Sequence, residues 1–141
     1  MTTVFSLLCQ VCGFSQREAA TFLDARLDTV KSWSAGRNPA PPGVLDEMAG
    51  LAARIDDAAD NAVDLIREQT AVTVGDGVVE LGLASDDFEA QGLGWPCVGA
   101  HKAVLALTIS RGMGVGCAFN VVPRGSMQAS AAAADIHDLH R

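Results

Sequence analysis

Residues 15–36, SQREAATFLDARLDTVKSWSAG, govern the architecture expected of this chain. Ser15 and Glu18 stand three apart at the head of an apolar-periodic stretch, the spacing of a capping box. In that arrangement the Ser15 hydroxyl accepts from the Glu18 N–H and the Glu18 carboxylate accepts from the Ser15 N–H. Ala19, Ala20, Phe22 and Leu23 then form an apolar helix face on which the alanines let a second helix come close. Asp24 falls where the chain must turn sharply, and Asp tolerates a left-handed backbone better than most side chains. Beyond the turn, Leu27, Val30 and Trp33 recur at helical spacing and are predicted to face a core, with Thr29, Lys31 and Ser32 pointing elsewhere. Gly36 and Pro39 are stop signals. The stretch predicts a helix, a tight turn and a second helix.

The segment resembles the helix-turn-helix of the Cro/C1-type (XRE) regulators. The matching residues are Ser15-Gln16, Ala20, Leu23, Thr29-Val30, Trp33 and Gly36, followed by Arg37 and Pro39. Two positions depart from that pattern. Arg26 replaces the small polar cap usual before the second helix, and Ser34 replaces the acidic residue usual after the aromatic. The resemblance implies a lambda-repressor-like N-terminal bundle and a sequence-specific transcriptional regulator that lays its second helix in the major groove of DNA. On that basis Gln16 touches a phosphate or braces a recognition-helix side chain, and Arg17 meets a phosphate or groove edge. Arg26, Leu27, Asp28, Thr29, Lys31 and Ser32 form the exposed front of the recognition helix. There Arg or Lys can pair with guanine, while Thr and Leu offer methyl groups to thymine. Asp28 accepts from cytosine or, preferably, orients Arg26 or Lys31. Arg37 and Asn38 are expected as backbone contacts, and Trp33 as core rather than reader.

With 141 residues, 49% hydrophobic and 19% charged, the chain can bury a core as one DNA-binding unit with a companion module. Its net charge of −7 is unevenly spread: residues 1–43 carry +1 and residues 44–141 carry −8. An acidic body behind a mildly basic head limits non-specific binding to nucleic acid and favours a dimer, which doubles the contacts. The N-terminus lacks the basic region of a signal peptide, and no apolar run is long enough to span a bilayer, so a cytoplasmic protein is expected. Cys9-x-x-Cys12 and the pair Cys97/His101 have the spacing of half-sites for zinc. A structural zinc site needs four convergent ligands, however, so the thiols are expected as small core hydrophobes, with no metal and no cofactor. His137 and His140 on the polar tail meet the same objection. No nucleophile elbow or paired carboxylates point to an enzyme. Arg111-Gly-Met-Gly-Val-Gly116 follows a predicted helix, the reverse of the order a phosphate loop requires, and reads as a turn.

Outside the motif, a first helix is predicted over about Thr3–Cys12, burying Val4, Phe5, Leu8 and Cys12 and ending at Gly13. A proline-rich stretch, Arg37 to Pro42, leads into an amphipathic helix of about 25 residues with Pro42 in its first turn. Leu45, Met48, Ala52, Ile55, Ala59, Ala62 and Ile66 form its stripe, either a dimer seam or a packing face. Val72 and Val74 with Val78–Leu83 read as two strands around Gly75-Asp76-Gly77. Ala84–Gly94 reads as an acidic loop. Trp95-Pro96 opens a helix to about Ser110, broken by Gly112, Gly114 and Gly116, before a strand at Cys117–Val122. The expected fold is mainly α with a small α+β C-terminal part. Its domains are residues 1–69 (helix-turn-helix with a closing helix), 70–124 (α/β dimerisation module) and 125–141 (tail). This layout also loosely resembles the anti-CRISPR-associated (Aca) and YdiL-like repressors. The residues behind that likeness are Trp33 to Arg37, Asp46-Glu47-Met48, and Gly94-Trp95 before an Ala- and Leu-rich helix. It implies a homodimeric (auto)repressor held together by its C-terminal part over an inverted-repeat operator in double-stranded DNA. The alternative is an antitoxin or adaptor that acts mainly through a protein partner.

Overall fold

A computed structural model of the chain describes residues 1–72 and 77–126. In chain order these form α1 (Val4–Cys12), α2 (Gln16–Leu23), α3 (Leu27–Ala35), α4 (Pro42–Val72), β1 (Val78–Leu83), α5 (Asp87–Gly92), α6 (Val98–Gly114), β2 (Ala118–Pro123) and a 3-10 turn at Arg124–Ser126. The fold is mainly α with a small α+β part near the C-terminus, as expected. The chain divides into two compact units, Met1–Asp57 and Ala58–Arg141, with the boundary inside α4.

Local chemistry sets the helix ends of the first unit. Thr3 caps α1, its hydroxyl accepting from the Ser6 N–H at 3.0 Å. Gly13 closes that helix in the left-handed region at φ 74. The Ser15–Glu18 capping box forms as expected, with bonds of 3.1 and 2.8 Å. Phe5, Cys9, Cys12, Phe14, Ala19, Ala20, Val30, Met48, Leu51 and Ile55 are buried. The Phe5 ring meets Trp33 edge-on at 5.5 Å, and Phe14 meets Phe22 at 5.3 Å. Val4 and Leu8 depart from expectation, Val4 being 66% exposed and Leu8 only half-buried, whereas Cys9 is buried as expected.

Helix α4 starts at Pro42 as expected but runs to Val72, so Val72 is helical rather than the start of a strand. Arg67, Glu68 and Gln69 are strong helix formers, and they carry the helix past the expected stop. Val74, Gly75 and Asp76 lie outside the described residues. The buried stripe of α4 is Met48, Leu51, Ile55, Ala59, Val63 and Ile66, while Leu45, Ala52 and Ala62 are only half-buried. Leu51 and Val63 displace their smaller neighbours because each removes more apolar area from water.

In the second unit β1 pairs with β2 in parallel, Val78 opposite Ala118 through Leu83 opposite Pro123. A parallel pair needs a crossover connection, and α5 and α6 supply it. The segment expected as an acidic loop therefore contains α5. Asp86 caps this helix by accepting from the Glu89 N–H at 2.8 Å. The Asp87 carboxylate accepts from the Val98 N–H at 2.9 Å, so α6 begins at Val98 rather than at Trp95. Within this unit Ala84, Ala90, Cys97, Ala100, His101, Val104 and Thr108 are buried. His101 Nδ1 accepts from the Ala84 N–H at 3.1 Å, which uses that lone pair inside the core. Arg111 and Asp60 form an exposed ion pair at 2.7 Å, worth about 0–1 kcal/mol. No residue of β1 or β2 is fully buried.

Gly112 does not break α6. It lies inside the helix, where a Cβ would run into the Phe119 ring of β2. The turn falls at Gly116, whose φ of 93 suits glycine. Gly112→Ala is expected to lower stability by about 1–2 kcal/mol through overpacking, despite the better helix propensity of Ala. In a Phe119→Ala background the same change should instead raise stability by about 0.5–1 kcal/mol. Urea unfolding of the four variants in this cycle measures both values.

Candidate nucleic-acid interface

The turn between α2 and α3 takes only Asp24, Ala25 and Arg26. Asp24 adopts the left-handed conformation at φ 52, ψ 45, as its place in the sequence suggested. Its N–H and that of Ala25 return to the last turn of α2, Ala25 bonding the Ala20 carbonyl at 3.0 Å. This satisfies carbonyls that a helix end would otherwise leave open. Ala19 and Ala20 are buried, and α2 packs on α3.

Helix α3 begins at Leu27 with Arg26 as its cap, extended at φ −75, ψ 145 and making no side-chain bond to the helix. Val30 is fully buried and holds α3 to the core. At the far end, the Thr3 hydroxyl of the α1 cap donates to the Ser34 carbonyl at 3.2 Å. The helix is thus fixed at both ends and in the middle.

On this frame Gln16 and Arg17 are exposed on the first turn of α2. Arg26, Asp28 and Lys31 are exposed, whereas Leu27 and Thr29 are half-buried. Arg37 and Asn38 are exposed just past Gly36, which closes α3 at φ 81. Among the described residues, no carboxylate pairs with the side chains of Arg17, Arg26, Lys31 or Arg37. The first unit therefore presents four cationic side chains that no ion pair neutralises among the described residues.

Two expectations fail. Ser32 was expected on the exposed front of α3 but is only 9% exposed. The chain after the helix folds back over it: the Arg37 N–H bonds the Ser32 carbonyl at 3.1 Å, and the Asn38 amide donates to the Ser32 hydroxyl at 2.7 Å. Asp28, expected to orient Arg26 or Lys31, has no bond or ion pair with either among the described residues. Side chains of this length on adjacent turns gain little from pairing in water.

An exposed apolar row on α1 was also missed. Val4, Leu7 and Val11 are 66%, 51% and 51% exposed. Their spacing places them on one side of the helix.

Of the cysteines, Cys9, Cys12 and Cys97 are buried and all four are free thiols. The Cys12 thiol donates to the Met48 carbonyl at 3.5 Å. Among the described residues no three His, Cys, Asp or Glu side chains converge in a way that could hold a metal ion. His137 and His140 lie outside the described residues. No protein-family model matches this chain, and no curated protein does either.

Burial pushes the Cys9 thiol up from its ordinary 9.0 to about 11. Below the lower value the folded and unfolded chains both carry the neutral thiol, so the fold loses nothing. As pH rises towards the higher value only the unfolded chain ionises, and stability falls. Melting temperature should therefore drop between pH 9 and 11, and less steeply in Cys9→Ala. Iodoacetamide labelling followed by peptide mass spectrometry at pH 8 should find Cys9 about a hundredfold slower in the native protein than in urea.

Proposed function

We propose that this chain is a sequence-specific DNA-binding transcriptional regulator that acts by binding rather than by catalysis. In this reading it is a cytoplasmic homodimer that (auto)represses from an inverted-repeat operator, with α3 as the helix laid in the major groove. The observation that carries the reading is the exposed side of α3. Lys31 is exposed on the helix and Arg26 at its N-cap, neither with a carboxylate partner among the described residues. Arg17 and Arg37 lie on the flanking first turn of α2 and the segment after Gly36. A helix held by Val30, with exposed cations at its cap and on its surface that are unneutralised among the described residues, suits phosphate and base-edge contact. Its resemblance to the Cro/C1-type motif, on the residues given above, agrees with that chemistry.

Dimerisation is the natural complement. Each chain offers few cations, and phosphate contacts add up when two copies bind one duplex. The second unit supports this role. Parallel sheets occur almost only with both faces covered, yet this two-stranded one has no fully buried residue and leaves Val78 53% and Val121 45% exposed. A second copy would cover it.

The antitoxin or adaptor reading is favoured by one observation, the apolar row Val4, Leu7 and Val11 on α1. Exposed apolar residues on one helix face suit a protein partner. The two readings share DNA binding and differ in whether a second protein is needed for function.

Selection of bound sequences from a random DNA pool tests the proposal. A palindromic consensus is expected, and failure to enrich any sequence at low ionic strength would overturn it. Against the selected operator, Arg26→Ala and Thr29→Ala should each lose about 1–3 kcal/mol of discrimination over random DNA. Arg37→Ala should weaken operator and random DNA alike and reduce the salt slope by about 1. Gel shifts across a salt titration separate these behaviours.

A further inference from the structure

Ser32 is buried on the wrong side of its helix. It lies two residues beyond Val30, about 200° round α3 from the position that anchors the helix to the core. Asp28, one turn before it on that side, is exposed. The hydrogen bonds that reach Ser32 from beyond its helix come from the segment that follows it. Gly36 turns the chain through the left-handed region at φ 81. The Arg37 N–H then bonds the Ser32 carbonyl at 3.1 Å, and the Asn38 amide donates to the Ser32 hydroxyl at 2.7 Å. Residue 32 thus receives two bonds from residues 37 and 38, one to its backbone and one to its side chain. Between them sits the Arg37 side chain, exposed and without an ion pair among the described residues.

We infer that Ser32 and Asn38 are positioning residues, not DNA contacts: their bond latches the turn after α3 so that Arg37 leaves the chain at a fixed point beside the exposed side of the helix. This inference rests on the proposed DNA-binding reading. A cation on an unlatched turn would lose conformational entropy whenever it met a phosphate. On the latched turn that ordering is already done by folding. The Ser32 hydroxyl also needs a donor or acceptor where it is buried, and Asn38 provides one. Two roles that would look alike in a contact map are therefore separable: Arg37 touches the duplex, and the Ser32–Asn38 pair acts only through Arg37.

The test is a mutant cycle read by affinity for a duplex of random sequence at low ionic strength, since a phosphate contact is independent of sequence. Asn38→Ala and Ser32→Ala are each expected to weaken binding about three- to tenfold, and the double variant no more than either alone. In an Arg37→Ala background Asn38→Ala should change affinity less than about twofold, because the residue it positions is gone. Ser32→Thr, which keeps the hydroxyl, should restore most of the loss seen in Ser32→Ala. Melting curves of each variant identify any that fail to fold, and Asn38→Ala, at an exposed position, keeps the cycle readable if Ser32→Ala does not fold.

An undiminished Asn38→Ala effect in the Arg37→Ala background would overturn the inference, because Asn38 would then touch DNA itself. Wild-type affinity for both single alanine variants would overturn it too. A wild-type protein that binds no duplex at all would instead overturn the DNA-binding reading on which the inference rests.

Discussion

The left-handed turn at Asp24 is the constraint on which the first unit depends. With only three residues between α2 and α3, the direction of α3 follows from the backbone angles at Asp24 and the bonds that return to Ala20 and Thr21. One extra residue there would change the direction in which α3 leaves the turn. Val30 would leave the core, and Trp33 would leave the Phe5 ring. The small side chains at 19 and 20 matter for the same reason. A turn this short works only if the two helices can approach closely, and a larger residue at either buried position would hold them apart.

This is also why the first unit was so legible in the sequence. The Ser15–Glu18 box, the left-handed Asp24, the stop at Gly36 and the apolar period of α3 all act within about four residues, so each can be read from its neighbours alone. What escaped was non-local. Nothing in the period of α3 marks Ser32 as buried, because its cover is a bond from Asn38, formed only after the chain has turned back. The second unit depends more on such distant partners. A Gly-Asp-Gly turn suggested a hairpin, but β1 pairs with a strand that begins forty residues later in register terms, at Ala118. Gly112 looked like a helix breaker because its reason, the Phe119 ring, lies across the crossover. Helix α5 was the exception. Asp86 and Glu89 carry a readable cap signal, hidden by the acidic, glycine-flanked composition around it.

Charge distribution sharpens the functional reading in a way that a net value of −7 does not. A protein with that balance would be expected to avoid nucleic acid. In the proposed reading, local pairing outweighs that balance. Arg111 is tied to Asp60 in the second unit, whereas Arg17, Arg26, Lys31 and Arg37 in the first have no such partner among the described residues. A cation already paired must break that pair to meet a phosphate, and an unpaired one need only shed water and counterions. The proposed interface is thus distinguished less by how many cations it has than by how few are neutralised. In that reading the acidic remainder acts as a filter, because any other approach to a duplex is repelled.

The same reasoning bears on where two copies would meet in the proposed dimer. Surfaces dense in carboxylates repel their own kind, so self-association favours patches that are apolar or uncharged. Two are visible. The row Val4–Leu7–Val11 lies in a stretch without a charged side chain, but a nine-residue helix offers too short a face for the roughly 800 Å² per partner of a stable interface. The β1–β2 sheet is the better suited. Strand β2, Ala-Phe-Asn-Val-Val-Pro, carries no charge, and unpaired strand edges of that kind are normally covered or blunted. A parallel pair with no buried residue leaves unfinished what a larger sheet would complete, and a second chain can complete it where this chain alone does not.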